Sequence, residues 1–241
     1  MTWPQDWQTN VTFLLRWAHF LGGITWIGLL YWFNLVNVSF QKEVDASIKG
    51  KMNPLLLSKS LWWFRWGAVL TVGTGLIYYA LLLNTEHIDA KIGIFLLAWI
   101  VAWMVLAALY RMSVAGGPLK DGRVLAVVIL VIVVVTAWLV VPSVRHGGSN
   151  RTMAIAVGGG LGMIMFMNVW MIIWPLQKKI IAATRATAES GTPAPADQPK
   201  WARRGFLASR TNAWLSVPML FFMGAASHFP IFSTITKSVA P

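Results

Sequence analysis

The stretch Arg16-Trp17-Ala18-His19-Phe20-Leu21-Gly22-Gly23-Ile24-Thr25-Trp26-Ile27-Gly28 sets an arginine and a histidine inside an apolar run long enough to cross a bilayer. Ionisable groups cost several kcal/mol at that depth, so each one there is a functional hypothesis by default. On a helix, Arg16, His19, Gly23 and Trp26 follow at steps of three, four and three and share one face. Taken singly they have plainer readings: a histidine bonded to a neighbouring helix, an arginine snorkelling to the interface, glycines that admit close packing. Together, a cation, a ring nitrogen, a gap and an aromatic form a cradle for a flat, anionic, metal-bearing ligand. Haem with its propionates answers that description.

Composition sets the class. Hydrophobic residues are 57% of the 241 and charged residues only 12%, which places the chain among polytopic membrane proteins and predicts an all-α helix bundle. The formal charge of +12 would suggest a nucleic-acid partner in a soluble protein. Here Lys and Arg gather in the connections, which points to the lipid bilayer instead and argues against nucleic acid. The absence of cysteine excludes disulfides, thiolate metal sites and covalently attached haem c within these residues, so a metal would need nitrogen or oxygen ligands. The first apolar run exceeds signal-peptide length without a clear small-residue cleavage site, and the expectation is a retained span.

A hydrocarbon core about 30 Å thick needs roughly 20 helical residues. Six segments meet or approach this, at about 11–33, 61–83, 92–109, 124–141, 153–174 and 213–229, within a single membrane domain over 1–241. The fourth carries no charge and should face lipid around most of its circumference. The first, second and fifth carry polar groups and glycines and should face the bundle. In the fifth, Gly158, Gly159, Gly160 and Gly162 include a Gly-x-x-x-Gly spacing, for which close helix contact is the favoured reading. Residues 186–200, with their Pro/Ala-rich run, read as a flexible cytoplasmic linker between the fifth and sixth helices.

Charge fixes the orientation. Lys42, Lys49, Lys51, Lys59, Arg65, Arg111, Lys120, Arg123, Lys178, Lys179, Arg185, Lys200, Arg203, Arg204 and Arg210 lie around the odd-numbered connections, against only Arg16, Lys91, Arg145, Arg151 and Lys237 on the other side. The positive-inside rule then puts both termini outside, in the periplasm of a bacterial inner membrane. This orientation collects all four histidines in the outer half. His19 lies roughly 12 Å below the outer edge of the first span, His87 and His146 follow the second and fourth spans, and His228 closes the sixth. His87 lies between Glu86 and Asp89, where a solvated loop residue is the default reading. His146 follows Arg145 and precedes two glycines, in a loop that could dip over a site. His19 and His228, expected inside the bundle, are the stronger ligand candidates.

Two blocks, Arg16 to Asn34 (RWAHFLGGITWIGLLYWFN) and Ser209 to His228 (SRTNAWLSVPMLFFMGAASH), resemble the membrane domain of the bacterial membrane-bound urate oxidase family. The resemblance transfers Arg16, His19, Trp26 and His228 as motif positions, and supports His87 and His146 less firmly. In that family further membrane helices and a carboxy-terminal cytochrome c commonly follow, implying electrons passed outward to a periplasmic carrier. No Cys-x-x-Cys-His occurs in this sequence. The expectation is therefore a membrane module that works with a separate cytochrome c or within a larger redox complex.

The first reading is a redox subunit holding b-type haem, with His19, His87, His146 and His228 as candidate iron ligands and Arg16 or Arg145 near the propionates. Oxidation of urate itself is the narrower form of it. Zinc or copper is the alternative cofactor, since imidazoles suit either ion, although His19 and His228 differ by roughly 10 Å in depth. A non-enzymatic scaffold subunit of a respiratory or photosynthetic complex is the competing function, and a transporter ranks last for want of midplane polar groups and repeats. Orientation is directly testable: cysteine introduced at Ser47 or Ala194 should be shielded from an impermeant thiol reagent in intact cells, and cysteine at Ser149 should react. The reverse pattern would invert the placement of every histidine.

Overall fold

The computed structural model describes residues 6–232; Lys237, counted above on the outer side, lies outside them. Six long helices make up the fold: α1 (Trp7–Glu43), α2 (Ala46–Thr85), α3 (Lys91–Ala115), α4 (Gly122–Arg145), α5 (Asn150–Ser190) and α6 (Gln198–His228). A single 3₁₀ turn, Pro118–Lys120, joins α3 to α4. The described residues include no strand. Their starts follow from local chemistry. Asp6 accepts from the amides of Gln8 and Thr9 at the head of α1, Asp121 accepts from Arg123 at the head of α4, and Ser149 accepts from Thr152 at the head of α5. Each satisfies amides that the first helical turn leaves unpaired. Gly191, at φ +68°, ends α5 in the left-handed conformation that a side chain disfavours.

All six expected spans fall on these helices, which run well past the hydrocarbon limits set by hydropathy. Helix α5 continues to Ser190, so only the middle of the expected linker is irregular, and the chain is helical again from Gln198. Five helices, α1 to α5, are long and apolar enough to cross a membrane. Helix α6 has the length, but its first half carries Lys200, Arg203, Arg204, Arg210 and Asn212 and its second half Ser216 and His228.

Helix α5 is the centre. Its most apolar stretch is 67% buried, against 22–28% for those of the other four. Helices α2, α3, α4 and α6 all pack on it, while α1 reaches the bundle chiefly through α2. Glycines make this centrality possible. A Cβ on Gly160 would fall 1.9 Å from the Trp99 ring of α3, whose Nε1 donates to the Ala156 carbonyl at 3.1 Å. A Cβ on Gly158 would meet Phe222 and Met223 of α6 at 3.0 Å. In lipid, where burial of apolar area between helices gains little, such close backbone approach supplies the packing attraction that holds helices together. The expectation of close contact is met at Gly158 and Gly160, whereas a Cβ on Gly162, the other end of the Gly-x-x-x-Gly spacing, would meet nothing within 4 Å.

Helix α4 shows the two-sided pattern expected of a lipid-facing span. Leu125, Ile129, Val133, Thr136, Val140 and Val144 turn inward at steps of three and four, while Val127, Leu130, Val131, Val134 and Trp138 are exposed. Helix α1 departs from expectation, since it lies at the edge and most of its surface is open, including Phe13, Trp17, Phe20 and Ile24.

Two wide, π-type turns interrupt the ladders, Trp32–Asn37 in α1 and Val169–Ile173 in α5. Buried asparagine amides serve the carbonyls beside them. Asn34 Nδ2 donates to Leu30 O at 2.9 Å and Asn212 Nδ2 donates to Met165 O at 2.9 Å. The space at Gly160 yields a prediction: Gly160→Ala should cost about 2 kcal/mol or more through overpacking against Trp99. Gly73→Ala, where a Cβ meets nothing within 4 Å, should be neutral or slightly stabilising. Thermal midpoints of the two detergent-solubilised variants, measured side by side, check both.

Candidate functional site

The α1–α2 seam is built from small residues. Gly67, Thr71 and Gly75 recur every four residues along one face of α2. A Cβ on Gly22 would lie 2.7 Å from Thr71 Oγ1 and 2.9 Å from its amide, and one on Gly67 would lie 3.2 Å from the Trp26 amide. Thr71 turns its own hydroxyl back onto Gly67 O at 2.7 Å, which lets its polar atom sit in the seam without loss. The two backbones therefore touch along this line.

His19 sits at the end of the same line nearer the start of α1. Its Nδ1 lies 2.8 Å from Thr71 O, and a carbonyl only accepts, so Nδ1 carries the proton. That fixes the tautomer and leaves Nε2 as the ring's lone-pair nitrogen, the arrangement by which outer hydrogen bonds orient metal-binding histidines. Gly75 makes room for the ring: a Cβ there would lie 3.0 Å from His19 Cε1 and 3.1 Å from Nδ1. Two turns further along α1, Trp26 is 1% exposed, and its Nε1 is buried with no hydrogen-bond partner among the described residues.

The remaining candidates are distributed differently. Arg16 is exposed, Gly23 is only partly buried with its would-be Cβ 3.9 Å from Thr71, and Gly22 rather than Gly23 makes the close contact. His228 is exposed rather than inside the bundle: Ala225 and Ala226 turn inward, and the helix ends at His228 before it can turn back. His87, at φ +58°, His146 and Arg145 are exposed. The connections bearing them do meet, since a Cβ on Gly147 would lie 3.2 Å from Ile88. Glu86 does not serve His87; its Oε2 accepts from Thr152 Oγ1 at 2.6 Å and from the Ser149 amide at 3.1 Å, where the start of α5 favours an anion. Among the described residues no three His, Cys, Asp or Glu side chains come together in a way that could hold a metal ion.

A second polar group lies deep in the bundle, toward the expected cytoplasmic side. Trp103 Nε1 donates to Asn168 Oδ1 at 3.2 Å, and Asn168 Nδ2 donates to Asn212 Oδ1 at 2.8 Å and to the Tyr110 hydroxyl at 3.4 Å. Tyr31 and Ser216 meet at 2.9 Å, and Asn34 Nδ2 donates to Ser209 Oγ at 2.9 Å. These bonds tie α1 and α5 to α6 and α3 to α5, so the group reads as structural. Of the seam residues, Thr71 and Gly75 were not singled out from sequence, although the Gly67-x-x-x-Thr71-x-x-x-Gly75 ladder could have found them.

No characterised protein and no solved structure gives a significant match to this chain. The urate oxidase N-terminal family model matches residues 46–239, which takes in α2 to α6 and the Ser209–His228 block but leaves α1, with His19, outside the matched residues. That match covers most of the sequence, and the chain belongs to the urate oxidase N-terminal family.

Proposed function

We propose that the chain is a membrane redox subunit of the urate oxidase type, set in a bacterial inner membrane with both termini outside, and that it holds b-type haem through His19. The observation that carries this reading is the His19 imidazole, tied through Nδ1 to Thr71 O with Nε2 uncommitted, in a seam where Gly75 admits the ring. Haem suits these residues better than zinc or copper. A small ion needs a cage of several protein ligands and no such cluster forms, whereas porphyrin supplies four nitrogens and asks only one or two imidazoles of the protein. Family membership supports a redox setting.

The bound haem would supply one-electron chemistry, passing electrons outward to a separate cytochrome c or partner complex. The chain's own residues would do the rest. Thr71 O orients the imidazole and raises its basicity, Gly75 and Gly22 keep the helices close, and exposed Arg16, one turn outward, is free to meet a propionate. His87, His146 and His228, at the outer ends of neighbouring helices, are candidate ligands for a second group or for the docking partner's side.

The test is spectroscopic. Purified protein should give a reduced-minus-oxidised haem b spectrum that His19→Ala abolishes. Gly75→Val, which drives a side chain into the ring, should lower haem content at least severalfold, while Arg16→Gln keeps the haem and shifts its midpoint potential. Full haem content in His19→Ala would move the cofactor elsewhere, and wild-type protein without haem would leave the scaffold reading ahead.

A further inference from the structure

Past the tight seam, toward the expected cytoplasmic side, an open groove of about 440 Å³ lies on the exposed face of the α1–α2 pair, which stays in contact further on through Phe33 and Phe64 and through the Gln41–Asn53 amides. Ile24, Thr25, Gly28 and Leu29 line it from α1, and Lys59, Ser60 and Trp63 from α2. The cause of the groove is local. Gly22, Gly67 and Thr71 hold the backbones in contact, and beyond them Gly28 leaves a gap, since a Cβ there would meet nothing within 4 Å.

The lining is graded along the groove. Lys59 is exposed, lies two residues before the apolar run that begins at residue 61, and has no ion-pair partner among the described residues. Trp63 stands one turn deeper, 60% exposed, with its large amphipathic ring at the depth where indoles settle in membranes. Ile24, 72% exposed, lies deeper still. A single cation at the rim, a hydroxyl beside it, an indole below and an aliphatic trough beneath match an anionic headgroup followed by its acyl chain.

We infer that this groove is a binding site for one anionic phospholipid of the cytoplasmic leaflet, its phosphate on Lys59 and an acyl chain laid over Gly28. Charge complementarity selects this occupant over a zwitterionic lipid, because an ammonium near the surface favours an anionic headgroup by about fivefold. The inference rests on the membrane placement proposed above and is independent of the haem.

Native mass spectrometry of the full chain, offered dioleoyl phosphatidylglycerol or dioleoyl phosphatidylcholine, reads it directly. Wild-type protein should retain one phosphatidylglycerol with about a fivefold preference. Lys59→Gln should abolish the preference, and Lys51→Gln, an exposed cation further from the membrane, should keep it. Gly28→Leu, which fills the groove where a Cβ meets no neighbour, should lose the bound lipid while keeping the helix content of the wild type by circular dichroism. Equal retention of both lipids, an unchanged preference in Lys59→Gln, or unchanged lipid in folded Gly28→Leu would overturn the site. A wild-type dimer that Gly28→Leu converts to monomer would overturn it too, by giving the groove to a second copy. Should Gly28→Leu fail to fold, the Lys59→Gln result decides alone.

Discussion

A missing side chain at Gly160 is the condition on which the bundle rests. Helices in lipid gain little from burying apolar surface against each other, so cohesion has to come from backbones brought close and from polar groups paired across the gap. Trp99 takes the space that a Cβ would need and spends its indole hydrogen on Ala156 O, joining both kinds of contact in one residue. With α3 seated on one side and α6 on the other, α5 becomes the axis, and the asparagine pair Asn168 and Asn212 finds itself fully enclosed. Enclosure makes their mutual bond obligatory, because an unmet amide there would cost the full price of desolvation.

The α1–α2 seam applies the same device for another end. Here the close approach brings a backbone carbonyl within reach of a histidine on the next helix, and so decides which ring nitrogen carries the proton. A packing motif thereby sets the chemistry of the one partly buried imidazole. The seam is also the part of the molecule least enclosed by other helices, and α1 contributes almost nothing to the core beyond Trp26, Ile27 and Leu30. An edge helix held chiefly by one neighbour, with Tyr31 and Asn34 reaching α6 at one end, is well placed to present a cofactor or a lipid laterally.

Fold class and span positions were legible because they depend on local hydropathy. The Val/Leu/Ile run of α4 announces both a span and its lipid face, and the glycines of α5 announce contact. What was hidden depended on which helices are neighbours. Nothing in the sequence ties His19 to Thr71, 52 residues away, and a histidine that closes a helix looks the same whether its last turn faces in or out, which is how His228 came to be expected inside the bundle. Extent was misjudged for a related reason: hydropathy marks where the apolar stretch ends, whereas α2 and α5 continue as helices beyond it. The charge pattern of α6, mixed along its length, gave position without enough apolarity to mark a span as clearly as the other five.

The two wide turns have a geometric consequence for these protruding ends. A π-type turn takes in one residue more than an α turn, and each residue advances a helix by about 100°, so everything past it is rotated by that angle relative to an unbroken helix. Val38–Glu43 and Trp174–Ser190 are thus clocked separately from the apolar halves that precede them. The apolar half of each helix keeps the phase that its core demands, and the arm beyond can turn a different stripe toward its neighbours. In α5 that reset brings the ring of Trp174 beneath the Arg65 guanidinium, 3.9 Å from its centroid, a pairing between helices set by the clock of the arm.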